Sequence, residues 1–239
     1  MALKTIKYDN KSFDISYEIV NPSLKKDIVI LHGWGSNKDI MSSVFKNHLE
    51  TFRQIYIDLP GFGKSSNPYI LTTDDYVNIT DKFLQEINAS KESIVGHSYG
   101  GKVAVKLNPK NLILLSSAGI LEEKSKKVKI KIKIAKFFNA IGLGGLTKLF
   151  RSSDVDNMSQ NMYETFKNVV NEDFSKEFEN YSGKAFIFWG EEDSATSLES
   201  GIKISKLIKN SEFKSYKGNH YFFVENAKDI SERLENGIL

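Results

Sequence analysis

The sequence predicts an α/β fold in which a mostly parallel, doubly wound sheet is covered by helices on both faces. Short apolar runs alternate with helical stretches along most of the chain, as in strands joined by crossover helices. The 239 residues are 40% hydrophobic and 12% aromatic, so they can bury one large core and form a single domain. No internal repeat or low-complexity linker divides the chain.

Local patterns predict the individual elements. Residues 4–18 contain two short runs around a central Asp9-Asn10 turn, which predicts a pair of N-terminal strands. The stretch 73–88 predicts a helix, and Pro109 ends the short helix predicted over 102–107. Further strands are predicted at 28–31, 54–57, 93–95, 112–116, 185–189 and 212–216.

A serine between two glycines follows the predicted strand 93–95. The pentapeptide runs from Gly96 to Gly100, with Ser98 at its centre. A sharp strand-to-helix turn that exposes a nucleophilic serine needs small residues two before and two after it, because strand and helix pass closely there. The same pattern also arises by chance as a glycine-rich turn without chemistry. The strand before it and the helix after it favour Ser98 as a nucleophile.

Two further candidates follow Ser98 along the chain. Asp193 lies in an acidic loop directly after an apolar run, and His220 lies in a loop between a predicted strand and a helix. The order serine, acid, histidine is that of the nucleophile-elbow hydrolases and differs from two other well-known triad orders. Glu191 or Glu192 could serve as the acid instead, and the spacing from the preceding tryptophan favours Asp193.

Four motifs resemble the α/β-hydrolase superfamily and extend over nearly the whole chain from about Asp27. They are the oxyanion-like loop Leu31-His32-Gly33-Trp34-Gly35, the Asp-x-x-Gly-x-Gly-x-Ser loop at 58–65, and the segments around Ser98 and Trp189. The first two loops look most like small carboxylesterases that include pimeloyl-carrier-protein methyl ester esterases, and next like carbon-carbon bond hydrolases. The chain departs from the family at Asn219, where glycine is usual, and lacks the proline often found after the acid.

The resemblance implies a role for each candidate. Ser98 would attack a carbonyl carbon and pass its proton to His220, while Asp193 would hold the imidazole in the right tautomer. The backbone N–H groups of Trp34 and Tyr99 would form an oxyanion hole, because charge develops on the carbonyl oxygen during attack. Neither departure from the family pattern removes one of these groups.

The other histidines and one aspartate have structural interpretations. His32 and His97 lie inside motifs and are expected to hydrogen-bond locally, and His48 is expected on a surface helix. Asp58 ends a predicted strand, but the chain turns immediately through Pro60, which favours a structural role.

Residues 119–182 interrupt the alternation, and in the resembling family an insertion at this place forms a helical lid over the active site. The expected organisation is a core of residues 1–118 and 183–239 with a lid of residues 119–182. Residues 127–134 alternate with period two, which favours a strand, but the position in the family favours a helix, which we expect. Five apolar residues could line the pocket or simply pack against the core: Phe137, Phe138, Ile141, Leu143 and Leu146.

The insertion also concentrates positive charge. The stretch from Gly119 to Arg151 contains eight lysines and one arginine but only two glutamates, so its net charge is +7. The total for the chain is +3, so the remaining residues carry a net charge of −4. Such a surface could attract an acidic carrier protein, a phosphorylated substrate or an anionic membrane. A solvated lysine-rich face explains the cluster equally well.

Composition excludes several other classes. The chain has no cysteine, so disulfides, thiol nucleophiles and cysteine metal sites are excluded. No histidine and carboxylate cluster has metal-ligand spacing, and we expect neither a metal nor a cofactor. No apolar run approaches the roughly 20 residues that cross a bilayer, and no signal-peptide pattern is present. We expect a cytoplasmic protein without a nucleic-acid partner.

The predicted function is that of a serine hydrolase which cleaves a carboxylic ester or related carbonyl substrate through an acyl-enzyme. A carbon-carbon bond hydrolase of a 2-hydroxy-6-oxo-dienoate is disfavoured, because His97 stands where asparagine usually precedes the serine and the chain has only three arginines. A non-catalytic ligand-binding protein is a further alternative, although all three triad positions are filled. Members of the fold with an aspartate nucleophile are excluded by Ser98.

Overall fold

The computed structural model describes residues 2–121 and 158–238, and their strands form one sheet. The strands are β1 (Ala2–Tyr8), β2 (Lys11–Val20), β3 (Asp27–Leu31), β4 (Arg53–Ile57), β5 (Ser93–His97), β6 (Asn111–Leu115), β7 (Lys184–Gly190) and β8 (Ser211–Tyr216). They follow the order β1-β2-β4-β3-β5-β6-β7-β8. The pairs β1–β2 and β2–β4 are antiparallel, and the other neighbours are parallel. The predicted mostly parallel sheet is therefore confirmed.

The helices of the described residues connect these strands. They are α1 (Lys38–Phe45), α2 (Thr73–Glu86), α3 (Tyr99–Leu107), α4 (Gln160–Val169), α5 (Ser175–Asn180), α6 (Leu198–Leu207) and α7 (Phe223–Ile238). Helix α2 begins with a capping box, in which Thr72 and Asp75 each accept a hydrogen bond from the backbone of the other. Helix α3 ends at Leu107 and is capped by Asn108, which adopts a left-handed φ of 52°, and Pro109 cannot continue the helix.

The central strand β3 shows how the sheet is buried on both faces. Val29 and Leu31 belong to a hydrophobic cluster that contains residues of α2 and α3, whereas Ile28 and Ile30 belong to one that contains residues of α1 and α7. Successive side chains of a strand point to opposite faces, so a strand between two helical layers is apolar throughout. This explains why the central strands have continuous apolar sequences.

The predicted elements differ from the observed ones mainly at their ends. Most strands are one or two residues longer than predicted, and β6 is shifted by one residue without a change in length. Helix α3 begins at Tyr99 instead of residue 102, because the serine turn leads directly into the helix. His48 lies in the turn after α1 and not on a helix, since α1 ends at Phe45. The strand-or-helix alternative at 127–134 and the pocket candidates Phe137, Phe138, Ile141, Leu143 and Leu146 lie outside the described residues.

Candidate active site

The predicted triad and oxyanion-hole residues follow strands of the parallel part of the sheet. Trp34 comes shortly after β3, Ser98 directly after β5, Asp193 after β7 and His220 after β8. The carboxyl ends of parallel strands meet at one edge of the sheet, where open α/β sheets bind their ligands. Residues that are far apart in sequence are thus delivered to the same edge.

Ser98 occupies a strained turn between β5 and α3. Its φ of 51° and ψ of −117° are rarely adopted by a residue with a side chain, and such strain costs on the order of 1–3 kcal/mol. A Cβ on Gly96 would lie 2.5 Å from the carbonyl oxygen of Gly100, and a Cβ on Gly100 would lie 2.6 Å from that of Leu31. The two flanking glycines are therefore required by close backbone contacts, as the pentapeptide predicted.

A cavity of about 290 Å³ lies beside this turn. Its lining includes Ser98 and the two residues predicted to supply oxyanion N–H groups, Trp34 and Tyr99. Tyr99 is the first residue of α3, so its N–H has no acceptor within the helix. The indole of Trp34 packs against the rings of Phe62, Tyr99 and Phe166, with centroid distances of 4.8, 5.5 and 5.4 Å. Helix α4, which carries Phe166, thus contributes one wall of the cavity.

Asp193 and His220 are brought into direct contact. His220 Nδ1 donates to Asp193 Oδ2 at 2.7 Å, and the aspartate side chain is fully buried. Its carboxylate also accepts hydrogen bonds from the backbone N–H groups of Ala195 and Thr196, at 2.8 and 3.0 Å. Burial by itself raises the pKa of Asp193, but the hydrogen bonds from His220 and Thr196 outweigh it and lower the pKa to about 2. The ionised carboxylate fixes the proton on Nδ1 and leaves Nε2 of His220 free to act as a base.

The neighbouring glutamates are placed differently. Glu191 and Glu192 are exposed, and Glu191 accepts a hydrogen bond from the hydroxyl of Ser215 at 2.9 Å. Of the three acidic residues considered, Asp193 is the one that contacts His220.

Ser98 and His220 are both neighbours of His97. His97 precedes Ser98 in the chain, and its ring packs on the ring of His220 with centroids 4.7 Å apart. Within the described residues, the hydrogen bonds of Ser98 are made by its main chain, including that from its N–H to the carbonyl of Leu115. Hydrogen bonds between nucleophile and base often tighten only when substrate is bound, so this geometry is compatible with a nucleophile.

A buried lysine near the serine is a feature that sequence reasoning missed. Lys102 lies one helical turn after Ser98 on α3, and its Nζ donates to the carbonyl of Val169 at 2.7 Å. It also lies 3.6 Å from the carboxylate of Glu172, which accepts a hydrogen bond from Thr73 at 2.5 Å. Burial lowers the pKa of Lys102, and the nearby Glu172 opposes that shift. The lysine joins α3 to the end of α4 at the cavity, and only its spacing from Ser98 could have indicated it.

Asp58 has the structural role that the sequence indicated. Its side chain accepts hydrogen bonds from the backbone N–H groups of Lys38 and Lys64, at 2.7 and 3.0 Å, and so holds two loops together. Within residues 2–121 and 158–238, no group of three histidine or acidic side chains is arranged to hold a metal ion. No described helix is both long and apolar enough to span a membrane.

Comparisons with known proteins agree with this architecture. A family model described as the alpha/beta hydrolase fold matches residues 27–110. A pimeloyl-[acyl-carrier protein] methyl ester esterase of Proteus mirabilis is 32% identical over 91 residues, which are 37% of this chain and 34% of that protein. Its counterpart in Wigglesworthia glossinidia brevipalpis is 26% identical over 204 residues, which are 80% of this chain and 68% of that protein.

The curated relatives matched at higher identity share only part of their length with this chain, about a quarter to a third. A solved structure of an esterase from Exiguobacterium antarcticum superimposes with a TM-score of 0.74 at 22% identity, covering 95% of this chain and 96% of the esterase. The mostly parallel eight-stranded sheet, the serine turn after β5 and these matches together show that the chain is an α/β-hydrolase-fold protein.

Proposed function

We propose that the protein is a serine hydrolase that cleaves a carboxylic ester. The observation that best supports this proposal is the 2.7 Å hydrogen bond between Asp193 and His220 at the sheet edge that also carries Ser98. An imidazole oriented by a buried carboxylate, at the same sheet edge as a serine on a strained turn, supplies the groups needed for nucleophilic catalysis. The esterase names of the relatives support the same reaction class.

In the proposed mechanism, Ser98 Oγ forms a bond to the ester carbonyl carbon while its proton passes to His220 Nε2. The negative charge on the carbonyl oxygen is stabilised by the N–H groups of Trp34 and Tyr99, each worth about 3–4 kcal/mol of barrier. His220 then gives the proton to the departing alkoxide, which leaves an acyl-enzyme. Water, deprotonated by His220, attacks the acyl carbon, and return of the proton to Ser98 releases the acid.

We extend the proposal to an ester carried by an acidic carrier protein. The relatives named above act on a pimeloyl group attached to acyl-carrier protein, according to their names. In this chain the net charge of +7 between residues 119 and 151 would attract such a partner, because opposite charges steer association. Residues 119–182 would then serve as a lid that receives the carrier and covers the cavity.

Fluorophosphonate labelling tests the central assignment. Intact-mass analysis of the wild-type protein should show one adduct, which is absent in Ser98→Ala. Ser43→Ala, which removes an exposed serine hydroxyl on α1, serves as the matched control and should label like the wild type. Turnover of esters of graded acyl length should depend on Ser98 in the same way. Labelling that persists in Ser98→Ala would contradict the assignment, and a wild type without labelling or turnover would favour a ligand-binding protein.

A further inference from the structure

His97, the last residue of β5, lies between two parts of the proposed site. Its side chain is buried, with 1% exposure. On one side its Nδ1 approaches the oxyanion loop, since a Cβ on Gly33 would lie 3.0 Å from it. On the other side its Nε2 lies 3.1 Å from the carbonyl oxygen of His220. This histidine therefore contacts the loop that carries the proposed base, and it is also the residue that directly precedes the proposed nucleophile, Ser98, in the chain.

The tautomer of His97 follows from its partner. A carbonyl oxygen only accepts hydrogen bonds, so Nε2 of His97 must carry the proton and donate a hydrogen bond to the backbone carbonyl of His220. Nδ1 is then an acceptor, and it is buried without a hydrogen-bond partner among the described residues. The side chain thus makes one directed hydrogen bond and leaves its second nitrogen unpaired.

Packing alone does not explain a histidine at this position. A buried acceptor without a partner loses its hydration and recovers nothing, so an apolar side chain of similar size would pack there at lower cost. What a histidine adds to the ring contacts with Tyr221 and Phe223 is the hydrogen bond that its Nε2 makes. That bond ends on the main chain of His220, whose ring is held separately by Asp193.

We propose that His97 is a positioning residue, which ties the loop of His220 to the end of β5 so that the imidazole stays beside Ser98. Asp193 sets the rotation and tautomer of the His220 imidazole, and His97 sets the position of the His220 backbone. This inference rests on the proposed hydrolase function for its effect on turnover, whereas the hydrogen bond itself can be measured without any activity.

The electrostatic surroundings preserve this arrangement. Burial lowers the pKa of His97 to about 3, and the neighbouring His220 contributes in the same direction, while the hydrogen bond to the His220 backbone and the charge of Asp193 oppose it. The ring therefore stays neutral, and Nδ1 stays unprotonated, at the pH values at which esters are assayed. A charged His97 beside His220 would otherwise disfavour protonation of the base.

Two variants separate positioning from packing. His97→Met fills a similar volume but has no donor, whereas the amide nitrogen of His97→Gln reaches the place of Nε2. We expect kcat to fall about 10- to 100-fold in His97→Met, with KM within about two-fold, because small displacements of catalytic groups cost rate rather than binding. His97→Gln should recover kcat to within about five-fold of the wild type. His48→Met, in the turn after α1, is the matched control for loss of a histidine.

Equal kcat values for His97→Met and the wild type would overturn the proposal, and so would a folded His97→Gln as impaired as His97→Met. The bond is also measured directly by NMR of 15N- and 13C-labelled protein. We expect the Nε2–H tautomer for His97 and a correlation across the hydrogen bond to the His220 carbonyl carbon. An Nδ1–H tautomer would overturn the proposal even if His97→Met does not fold. A wild type that shows this bond but no Ser98-dependent turnover would contradict the proposed function alone.

Discussion

His32 holds the carbonyl group of Gly33. Its Nδ1 lies 2.7 Å from that oxygen, and its Nε2 accepts the backbone N–H of Leu59 at 3.0 Å, so the proton is on Nδ1 and is donated to Gly33. The carbonyl of Gly33 and the N–H of Trp34 belong to the same planar peptide unit, in which they point in opposite directions. The N–H of Ser36 donates to the same carbonyl at 3.1 Å. The buried histidine and this backbone bond together therefore set the direction of the N–H group proposed for the oxyanion hole.

Replacement of His32 tests this relationship. His32→Leu removes the donor and also leaves the buried N–H of Leu59 unpaired, so we expect kcat to fall about 10- to 100-fold and the free energy of unfolding to fall by about 1–3 kcal/mol. His32→Asn, whose amide nitrogen takes the place of Nδ1, should retain more activity than His32→Leu. Steady-state kinetics and urea unfolding measure the two effects. Equal kcat for His32→Leu and the wild type would contradict a role of His32 in orienting the N–H group of Trp34.

The identity of the orienting acid predicts a large contrast between two neighbouring carboxylates. Asp193→Asn keeps the shape of the side chain but removes the charge that holds the Nδ1–H tautomer, so ester turnover should fall by about 10³- to 10⁴-fold. Glu191→Gln, which alters an exposed residue bonded to Ser215, is the matched control and should stay within about two-fold. If Glu191→Gln loses ester turnover while Asp193→Asn keeps it, the acid is misassigned.

Stability should decrease in mild acid because of the buried histidines. Burial lowers the pKa of His32 to about 4 and of His97 to about 3, whereas in the unfolded chain both titrate near 6.5. Below pH 6.5 the unfolded state therefore binds more protons than the folded state. The free energy of unfolding therefore does not depend on these histidines above that pH. It falls as the pH decreases from 6.5 towards 4 for His32 and towards 3 for His97, with a slope of up to about 1.4 kcal/mol per pH unit for each histidine.

Urea unfolding at several pH values between about 7 and 4.5 measures this slope. His97→Gln cannot titrate, so it should lose the contribution of that residue and show a shallower dependence. A stability that is independent of pH over this interval would show that the two rings are protonated in the folded protein as readily as in the unfolded chain.

The positively charged segment between residues 119 and 151 predicts a salt dependence of turnover that differs between substrates. If its charge delivers a carrier-linked ester, kcat/KM for that substrate should fall at least about five-fold between low and high salt, because exposed charges are screened beyond about 8 Å at physiological ionic strength. Small neutral esters should show little change. Replacement of Lys127, Lys131 and Lys133 by glutamate should weaken only the first activity, mainly through the association rate. Equal salt dependence for both substrates would contradict a carrier partner.

The fold could be predicted from the sequence because its signals are local. The inner strands β3 to β7 have apolar runs because the helices of both layers bury them, whereas the edge strand β8 alternates polar and apolar residues. Pro109 marks the end of α3 through its missing N–H. The turn at Ser98 was also predictable, because close backbone contacts require glycine at 96 and 100. Such constraints act within a few residues and so leave a pattern in the chain itself.

The sequence alone thus determined the order of the strands along the chain, the strained serine and a short list of acids and bases. Which carboxylate meets His220, which nitrogens of His32 and His97 carry protons, and where Lys102 finds its partners were decided only by the tertiary structure. These properties depend on groups more than twenty residues away, or on the burial that those groups produce. Local sequence specifies which atoms can donate or accept, but only the packed fold brings a partner within hydrogen-bonding distance and removes competing water.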